Sequence, residues 1–256
     1  MRRLHLFELE DQPWFPATIR DLATDYLRFM QNVGALHRGM LPFIEEALRA
    51  GSTTHIVDLC SGGSGPIPSI VCDLRTKGLQ ATATLTDLYP NVPALEYVAA
   101  NSDGLIDFVP TPVDARAVPS ELRGLRTLFN GLHHFRPADA RAILRDAAAA
   151  AQPIAVFELS RRSLAMILWI LVVPLFVLVV TPLIRPFKWS RLFWTYVVPL
   201  VPLTCLWDGM VSQLRAYTLI ELREMAAEAG SMTWRADDPR IFRTGARVTY
   251  LIGWPQ

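Results

Sequence analysis

The chain has 256 residues, of which 51% are apolar, 19% are charged and three are cysteine. Soluble domains carry about 25% charged residues, so this composition is rich in apolar and poor in charged side chains. It excludes an intrinsically disordered chain, a collagen-like repeat and a disulfide scaffold. Because 25 basic residues face 24 acidic ones, the net charge is +1, and this lack of a basic excess argues against a nucleic-acid partner.

Apolar residues recur at helical spacing in two stretches near the N-terminus, over residues 17–30 and 36–48. Beyond them, short apolar runs that indicate strands alternate with stretches of helical spacing. The pattern predicts strands at 55–59, 82–86, 106–109, 125–130, 154–159, 241–242 and 248–252, with helices at 93–100, 138–151 and 218–230. Strands that alternate with helices predict an α/β fold with a doubly wound, mostly parallel seven-stranded sheet.

The apolar excess is concentrated in one region of the chain. Residues 164–184 and 192–207 contain no charged side chain, whereas the rest of the chain alternates apolar and charged residues.

The N-terminus shows no apolar run of the kind found in a signal peptide, so we expect no export. Cys60, Cys72 and Cys205 lack metal-ligand spacing, so we predict no metal site and expect reduced thiols in a cytosolic setting.

A glycine-rich turn follows the first predicted strand of the sheet. The strand runs to Asp58 and the turn runs to Gly65, which places backbone N–H groups and a helix N-terminus around a bound cofactor. Asp87 lies 22 residues after Gly65 at the end of the next strand, where a carboxylate can accept hydrogen bonds from two ribose hydroxyls. The turn fits the nicotinamide fingerprint Gly-x-Gly-x-x-Gly poorly.

The turn resembles the first motif of the S-adenosylmethionine-dependent methyltransferases with a Rossmann-like fold, with Cys60 and Ser64 at the places of two glycines. The resemblance covers residues 53–160 and 217–254. It implies S-adenosylmethionine as cofactor, with Asp87 at the ribose and Asp114 near the adenine amine. The cofactor-binding residues that it implies are Asp58, Cys60, Ser61, Gly62, Gly63, Gly65, Asp87, Leu88, Asp114, Ala115 and Asn130.

The segment after the fourth strand, Asn130-Gly-Leu-His-His-Phe, is similar to the family motif that faces the methyl group. The resemblance implies that His133 or His134 acts as a base toward the acceptor, because histidine titrates near neutral pH. As the alternative, either histidine caps the following helix or packs under the cofactor. Glu158 ends the fifth strand and is a candidate substrate contact, with an ion pair to a nearby arginine as the alternative.

The two uncharged segments lie between the fifth strand and the helix that begins at Thr218. As helices they are about 31 Å and about 24 Å long, and the second is short for a membrane span. Three interpretations stay open: a hairpin that dips into one leaflet, a hairpin that crosses the membrane twice, and a lid or homodimer interface of a soluble enzyme. All three favour a lipophilic substrate. Trp14, Trp207 and Asp208 are further candidate substrate contacts.

The sequence thus predicts an N-terminal helical cap at 1–52, a cofactor-binding core at 53–162, an apolar hairpin insert at 163–208, and a return helix with the final strands at 209–256. Together with the resemblance, it implies methyl transfer from S-adenosylmethionine to a lipophilic small molecule or lipid at the cytoplasmic side of a membrane. The alternatives are a soluble methyltransferase with an apolar lid and a non-catalytic membrane-associated binding module.

Overall fold

The computed structural model describes residues 1–240 and 247–256. The chain forms two compact units, each assembled from two stretches of sequence. The helical unit comprises residues 1–33 and 160–217, and the sheet unit comprises residues 34–159 and 218–256. These boundaries differ from those of the four predicted segments, because periodicity does not show which helices pack together.

Helices and strands fill most of the described chain. The helices are α1 Ala17–Val33, α2 Leu41–Ala50, α3 Ile67–Thr76, α4 Val92–Ala100, α5 Pro137–Ala149, α6 Leu164–Ile170, α7 Val173–Val180, α8 Trp189–Leu192, α9 Leu200–Arg215 and α10 Leu219–Ala227. The strands are β1 His55–Asp58, β2 Thr82–Leu85, β3 Ile106–Phe108, β4 Leu125–Phe129, β5 Ile154–Glu158, β6 Met232–Asp237 and β7 Thr249–Pro255.

Within residues 1–240 and 247–256, the sheet has seven strands in the order β3-β2-β1-β4-β5-β7-β6. Strands β1 to β5 are parallel, and β7 runs antiparallel to both β5 and β6. The predicted doubly wound, mostly parallel sheet is therefore confirmed. The strand order reverses between β1 and β4, and ligands of such sheets bind beyond the carboxyl ends at this reversal. The segments that follow β1, β2, β4 and β5 accordingly begin at one edge of the sheet.

Apolar side chains fill the core of the sheet unit. Helix α2, although it precedes the first strand, contributes Leu41, Ile44 and Leu48 to this core. Phe43 of the same helix stacks on Tyr250 of β7, with ring centroids 4.1 Å apart. Strands covered on both faces read as continuous apolar runs, which is why the sequence locates the central strands well.

The helical unit has a smaller core of its own. Helix α1 buries Ile19, Leu22 and Tyr26 on one face, where they pack with Val177 of α7 and Val201 of α9. Burial of this stripe accounts for the helical spacing of apolar residues in α1. The N-terminal helix thus packs against both arms of the apolar insert.

Both uncharged segments are interrupted in the structure. The first is divided into α6 and α7 next to Pro174, because proline at the second position of a helix has no N–H to continue the preceding one. The second begins at the end of α8, forms a π-helical turn over Phe193–Val197, breaks at residues 198–199 and continues as α9 to Arg215. Asp208, the first charged residue after the second uncharged segment, therefore lies within a helix.

The last two strands differ from the sequence analysis. Strand β7 confirms the strand predicted at 248–252, whereas β6 is not predicted at all. Its residues alternate between buried and exposed positions over only six residues, and it forms the edge of the sheet, so its apolar signal is weak. The strand predicted at 241–242 lies outside the described residues.

Candidate active site

Asp58 ends β1 at the carboxyl edge of the sheet, and two hydroxyl groups hold its carboxylate. Oδ1 accepts a hydrogen bond from Thr127 at 2.6 Å, and Oδ2 accepts one from Ser61 at 2.7 Å. Burial raises the pKa of Asp58 to about 7, although both hydrogen bonds act to lower it. Since Thr127 lies on the neighbouring strand β4, this carboxylate joins the turn after β1 to the sheet.

The glycine-rich turn follows a left-handed backbone path. Gly62 and Gly65 have φ angles of 53° and 48°, a region that glycine enters without steric cost. Cys60 and Ser64, at the two positions where the methyltransferase motif has glycine, have φ angles of 59° and 84°. Residues with a Cβ are strained at such angles. The turn, which also contains Gly63, therefore has the positive φ angles typical of glycine even at the two positions that are not glycine.

Asp87 follows β2 and binds the glycine-rich turn directly. Its Oδ2 accepts the backbone N–H of Gly62 at 2.8 Å, and its Oδ1 accepts the backbone N–H of Tyr89 at 2.8 Å. The side chains of Leu88 and Tyr89 are exposed beside it. The two elements predicted to surround the cofactor are thus in contact with each other.

Asp114 lies in the loop after β3 and is paired with Arg116. The guanidinium donates to its carboxylate from Nη2 at 2.7 Å and from Nε at 3.0 Å. These hydrogen bonds hold the pKa of Asp114 below its usual range. The backbone N–H of Val113 donates to the carbonyl of Asp87 at 2.8 Å, so this loop adjoins the ribose-binding candidate. Ala115 is buried.

Asn130 connects the ends of two parallel strands. Its Oδ1 accepts the backbone N–H of Leu159 at 2.7 Å, and its own backbone N–H donates to the carbonyl of Phe157 at 2.8 Å. A Cβ added at Gly131 would lie 3.6 Å from the Cβ of Cys60. The loop after β4 therefore lies against the glycine-rich turn.

A histidine and a carboxylate form a buried pair at the same edge. Nδ1 of His133 lies 2.6 Å from Oε2 of Glu158, and the two side chains are 3% and 0% exposed. Oε1 of Glu158 accepts the backbone N–H groups of Leu132 at 2.8 Å and of His133 at 3.2 Å. A carboxylate that accepts from Nδ1 selects the imidazole tautomer with its lone pair on Nε2. Glu158 thus orients His133, and both of its oxygens are engaged in doing so.

The ring of His134 packs against the ring of His133, with centroids 4.4 Å apart and the ring planes tilted by 32°. It is more accessible than His133 and lies in the same short 3-10 turn. Helix α5 begins at Pro137 after Arg136, without a capping side chain. The residue at the N-cap position of α5 is therefore Arg136 and not a histidine.

The three remaining candidates lie in the helical unit. The Trp14 side chain is exposed. The indole N–H of Trp207 donates to the carbonyl of Phe7 at 3.0 Å. Asp208 accepts the backbone N–H groups of residues 9 and 10 at 2.6 and 3.0 Å, and burial raises its pKa to about 6. Trp207 and Asp208 thus hold the N-terminal segment along α9.

The structure brings the candidates of the sheet unit to one edge of the sheet, and it adds two residues that the sequence analysis missed. Thr127 holds Asp58 from 69 residues away, so no local pattern reveals it. Arg116 holds Asp114 from a distance of two residues, and a basic residue at that spacing from the acid was an available signal.

No protein-family model matches the sequence, and no curated protein matches it. Solved structures do resemble it. An O-methyltransferase from neocarzinostatin biosynthesis, in complex with S-adenosylmethionine and 2-hydroxy-5-methyl naphthoic acid, is 16% identical, with a TM-score of 0.56 over 94% of this chain and 59% of that one. The plantazolicin methyltransferase, in complex with S-adenosylhomocysteine, is 11% identical, with a TM-score of 0.54 over 97% and 94%. Human N-acetylserotonin methyltransferase, in complex with S-adenosylmethionine, is 16% identical, with a TM-score of 0.51 over 99% and 63%.

The chain therefore has the Rossmann-like fold of the S-adenosylmethionine-dependent methyltransferases. The fold agrees with the motif in the first turn, which points to the same class independently of the comparison. The chain spans 59% of the length of the neocarzinostatin enzyme and 94% of the length of the plantazolicin enzyme.

Proposed function

We propose that this protein transfers the methyl group of S-adenosylmethionine to a lipophilic small molecule at a membrane surface. The observation that carries the proposal is the buried His133–Glu158 pair, which lies at the sheet edge that also bears the Asp87-bound glycine-rich turn. A cofactor site and an oriented base at one edge are what methyl transfer to a weakly acidic acceptor requires.

The residues of the sheet unit fit the cofactor. Asp87 is a half-buried carboxylate beside a turn with left-handed backbone, a combination suited to ribose hydroxyls and close backbone approach. Asp114 adjoins Asp87, because the backbone N–H of the neighbouring Val113 donates to the carbonyl of Asp87. The carboxylate of Asp114 can accept from an adenine amine once one of its oxygens is released from Arg116. Ribose recognition therefore rests on Asp87, and the contribution of Asp114 depends on Arg116.

His133 is the proposed base. When bound, S-adenosylmethionine supplies a methyl group on a positively charged sulfur, so the acceptor needs alignment and, if it is a hydroxyl, removal of its proton. The hydrogen bond to Glu158 leaves the lone pair of His133 on Nε2, and the buried carboxylate stabilises the imidazolium that forms. The ring of His134, packed against that of His133 at a centroid distance of 4.4 Å, restricts the orientation of His133. We assign His133 to proton removal and Glu158 to positioning.

The apolar insert supports a lipophilic acceptor. It begins at Leu164, six residues after Glu158 in the chain. By length and composition the helical run 164–183 could cross a membrane, and 17% of its most apolar window is buried. We place the protein at the cytoplasmic face, where free cysteines stay reduced.

Methyl transfer is tested with labelled S-adenosylmethionine and a total lipid extract, with calorimetric titration of S-adenosylhomocysteine in parallel. We expect binding and incorporation of label into an extractable lipophilic product. His133→Ala should abolish incorporation and leave S-adenosylhomocysteine binding intact, while Glu96→Ala, an exposed change on α4, should alter neither. If the wild-type chain does not bind S-adenosylhomocysteine, the proposal is wrong. Label found only in water-soluble products would overturn the lipophilic acceptor alone.

A further inference from the structure

We propose that the apolar hairpin enters a single leaflet, so that its tip, residues 184–191, stays on the same side of the membrane as the sheet unit. This inference rests on the membrane association in the proposed function and excludes a hairpin that crosses the bilayer twice. It follows from contacts within the helical unit and from the covalent path of the chain.

The first arm of the hairpin presents an apolar face that nothing in its own unit covers. Leu164, Leu168, Leu171, Leu175 and Val179 are each more than half exposed, and their spacing places them on one side of the helical run. Twenty residues of helix are about 30 Å long. An uncharged face of this length fits hydrocarbon chains of lipid better than water.

The charge of the helical unit suits a lipid surface. Its sequence contains ten basic and six acidic residues, a net charge of +4, whereas the sheet unit has 15 basic and 18 acidic residues, a net charge of −3. Cytoplasmic leaflets carry anionic lipids that attract basic segments. The apolar face and the positive charge therefore occur together in the same unit.

The tip of the hairpin is bound to α1. Asp25 lies within hydrogen-bond distance of Arg191, at 2.5 Å, and of Lys188, at 2.8 Å. Arg191 is 1% exposed and also donates to the carbonyls of Ile184 and Pro186. Lys188 and Arg191 of the tip thus both bind the carboxylate of Asp25 in α1. Separating the buried pair of Arg191 and Asp25 would cost considerable free energy.

The chain path then limits where the tip can lie. Eight residues, all in α1, separate Asp25 from Gly34, where the sheet unit begins. As helix they advance about 13 Å, while a hydrocarbon core is about 30 Å thick. If the tip reached the far side, Asp25 would go with it, and the chain could not return to the sheet unit. A two-pass hairpin is incompatible with these contacts.

The second arm of the hairpin, residues 189–215, is not a straight membrane-spanning helix. Residues 189–197 and α9 meet at an angle of 75°. Toward its C-terminal end, α9 carries Asp208 and Arg215, which bind the N-terminal segment through backbone amides and through Asp11. The second arm therefore returns along the helical unit and does not cross a bilayer.

The side of the tip is tested by cysteine labelling in cells that express the full chain. Trp189→Cys and Arg185→Cys, both at exposed tip positions, are made in a Cys72→Ser background, and Cys72 of the wild type, which is exposed on α3, reports the side of the sheet unit. A membrane-impermeant maleimide is applied to washed inside-out vesicles and to intact spheroplasts. We expect the tip cysteines to react in the preparation in which Cys72 reacts, or only after detergent.

Reaction of the tip cysteines from the opposite side to Cys72 would overturn the inference. In a second measurement, the purified chain is added to vesicles of phosphatidylcholine with a minor share of phosphatidylglycerol. Leu175→Glu and Val179→Glu should weaken binding about tenfold or more, while Ile220→Glu, an equally exposed change on α10, should not. Equal binding of all variants overturns the inserted face. A wild type that does not bind refutes membrane association itself, and calorimetry with S-adenosylhomocysteine separately decides the methyltransferase proposal.

Discussion

The carboxylate of Asp87 accepts the backbone N–H of Gly62 at 2.8 Å, although 25 residues separate the two in sequence. This hydrogen bond fixes the glycine-rich turn to the end of β2 before any ligand arrives. The acid that is proposed to bind ribose therefore also shapes the turn that is proposed to admit the rest of the cofactor. A change at Asp87 should affect both functions.

Asp87→Ala and Asp87→Asn separate the two roles. The amide of Asn can still accept from Gly62 but accepts fewer hydrogen bonds in total, whereas Ala loses both roles. We expect S-adenosylhomocysteine affinity to fall about a hundredfold in Asp87→Ala and about tenfold in Asp87→Asn, measured by calorimetry. Unchanged affinity in Asp87→Ala would remove this residue from the cofactor site.

Glu158→Gln should impair catalysis without affecting cofactor binding. A glutamine amide can donate to Nδ1 of His133 and so favours the tautomer that has no lone pair on Nε2. We expect kcat to fall about a hundredfold or more while S-adenosylhomocysteine affinity is retained. Nitrogen NMR of labelled histidine reports the tautomer directly. A normal kcat with an altered tautomer would contradict the role of His133 as base.

Asp58 should make stability depend on pH. Its pKa in the folded chain is about 7, above the ordinary value of 3.8, so the folded state binds the proton more tightly than the unfolded state. The stabilisation is complete below the ordinary pKa and is lost as pH rises through about 7, by roughly 4 kcal/mol. Between about pH 4 and about pH 7, thermal unfolding should show a loss of stability in the wild type that is reduced in Asp58→Asn. Parallel pH profiles of the two proteins would be inconsistent with this assignment.

Ser64→Gly should stabilise the protein. Ser64 has a φ angle of 84°, where a side chain is strained, and glycine relieves that strain at the cost of a more flexible unfolded chain. We expect a net gain of about 1 kcal/mol in the free energy of unfolding, measured with urea. Ser69→Gly, in the first turn of α3, is the matched control and should cost about 0.5 kcal/mol. A loss at both positions would show that the Ser64 side chain contributes more than its backbone costs.

Much of the sheet unit is predictable from the sequence, because its signals are local. Strands β1 to β5 are short apolar runs, and the acids Asp58 and Asp87 stand where the first two of them end. The glycine-rich turn and the motif resemblance then locate the proposed cofactor site. Strand β6 is not predicted from local signals. Its sequence resembles that of a loop, because an edge strand alternates exposed and buried residues over a short length.

The amino-acid sequence alone determined the α/β class, the edge of the sheet that bears the candidate site and the position of the apolar insert, because each depends on residues that are close together in the chain. Only the tertiary structure decided that Glu158 orients His133 and that Asp25 binds the tip of the hairpin. His133 and Glu158 are 25 positions apart in the sequence, and Asp25 and Arg191 are 166 positions apart. Hydrogen-bond partners at such separations are set by packing. A sequence pattern shows which side chains are charged, whereas the fold selects the partner of each charge.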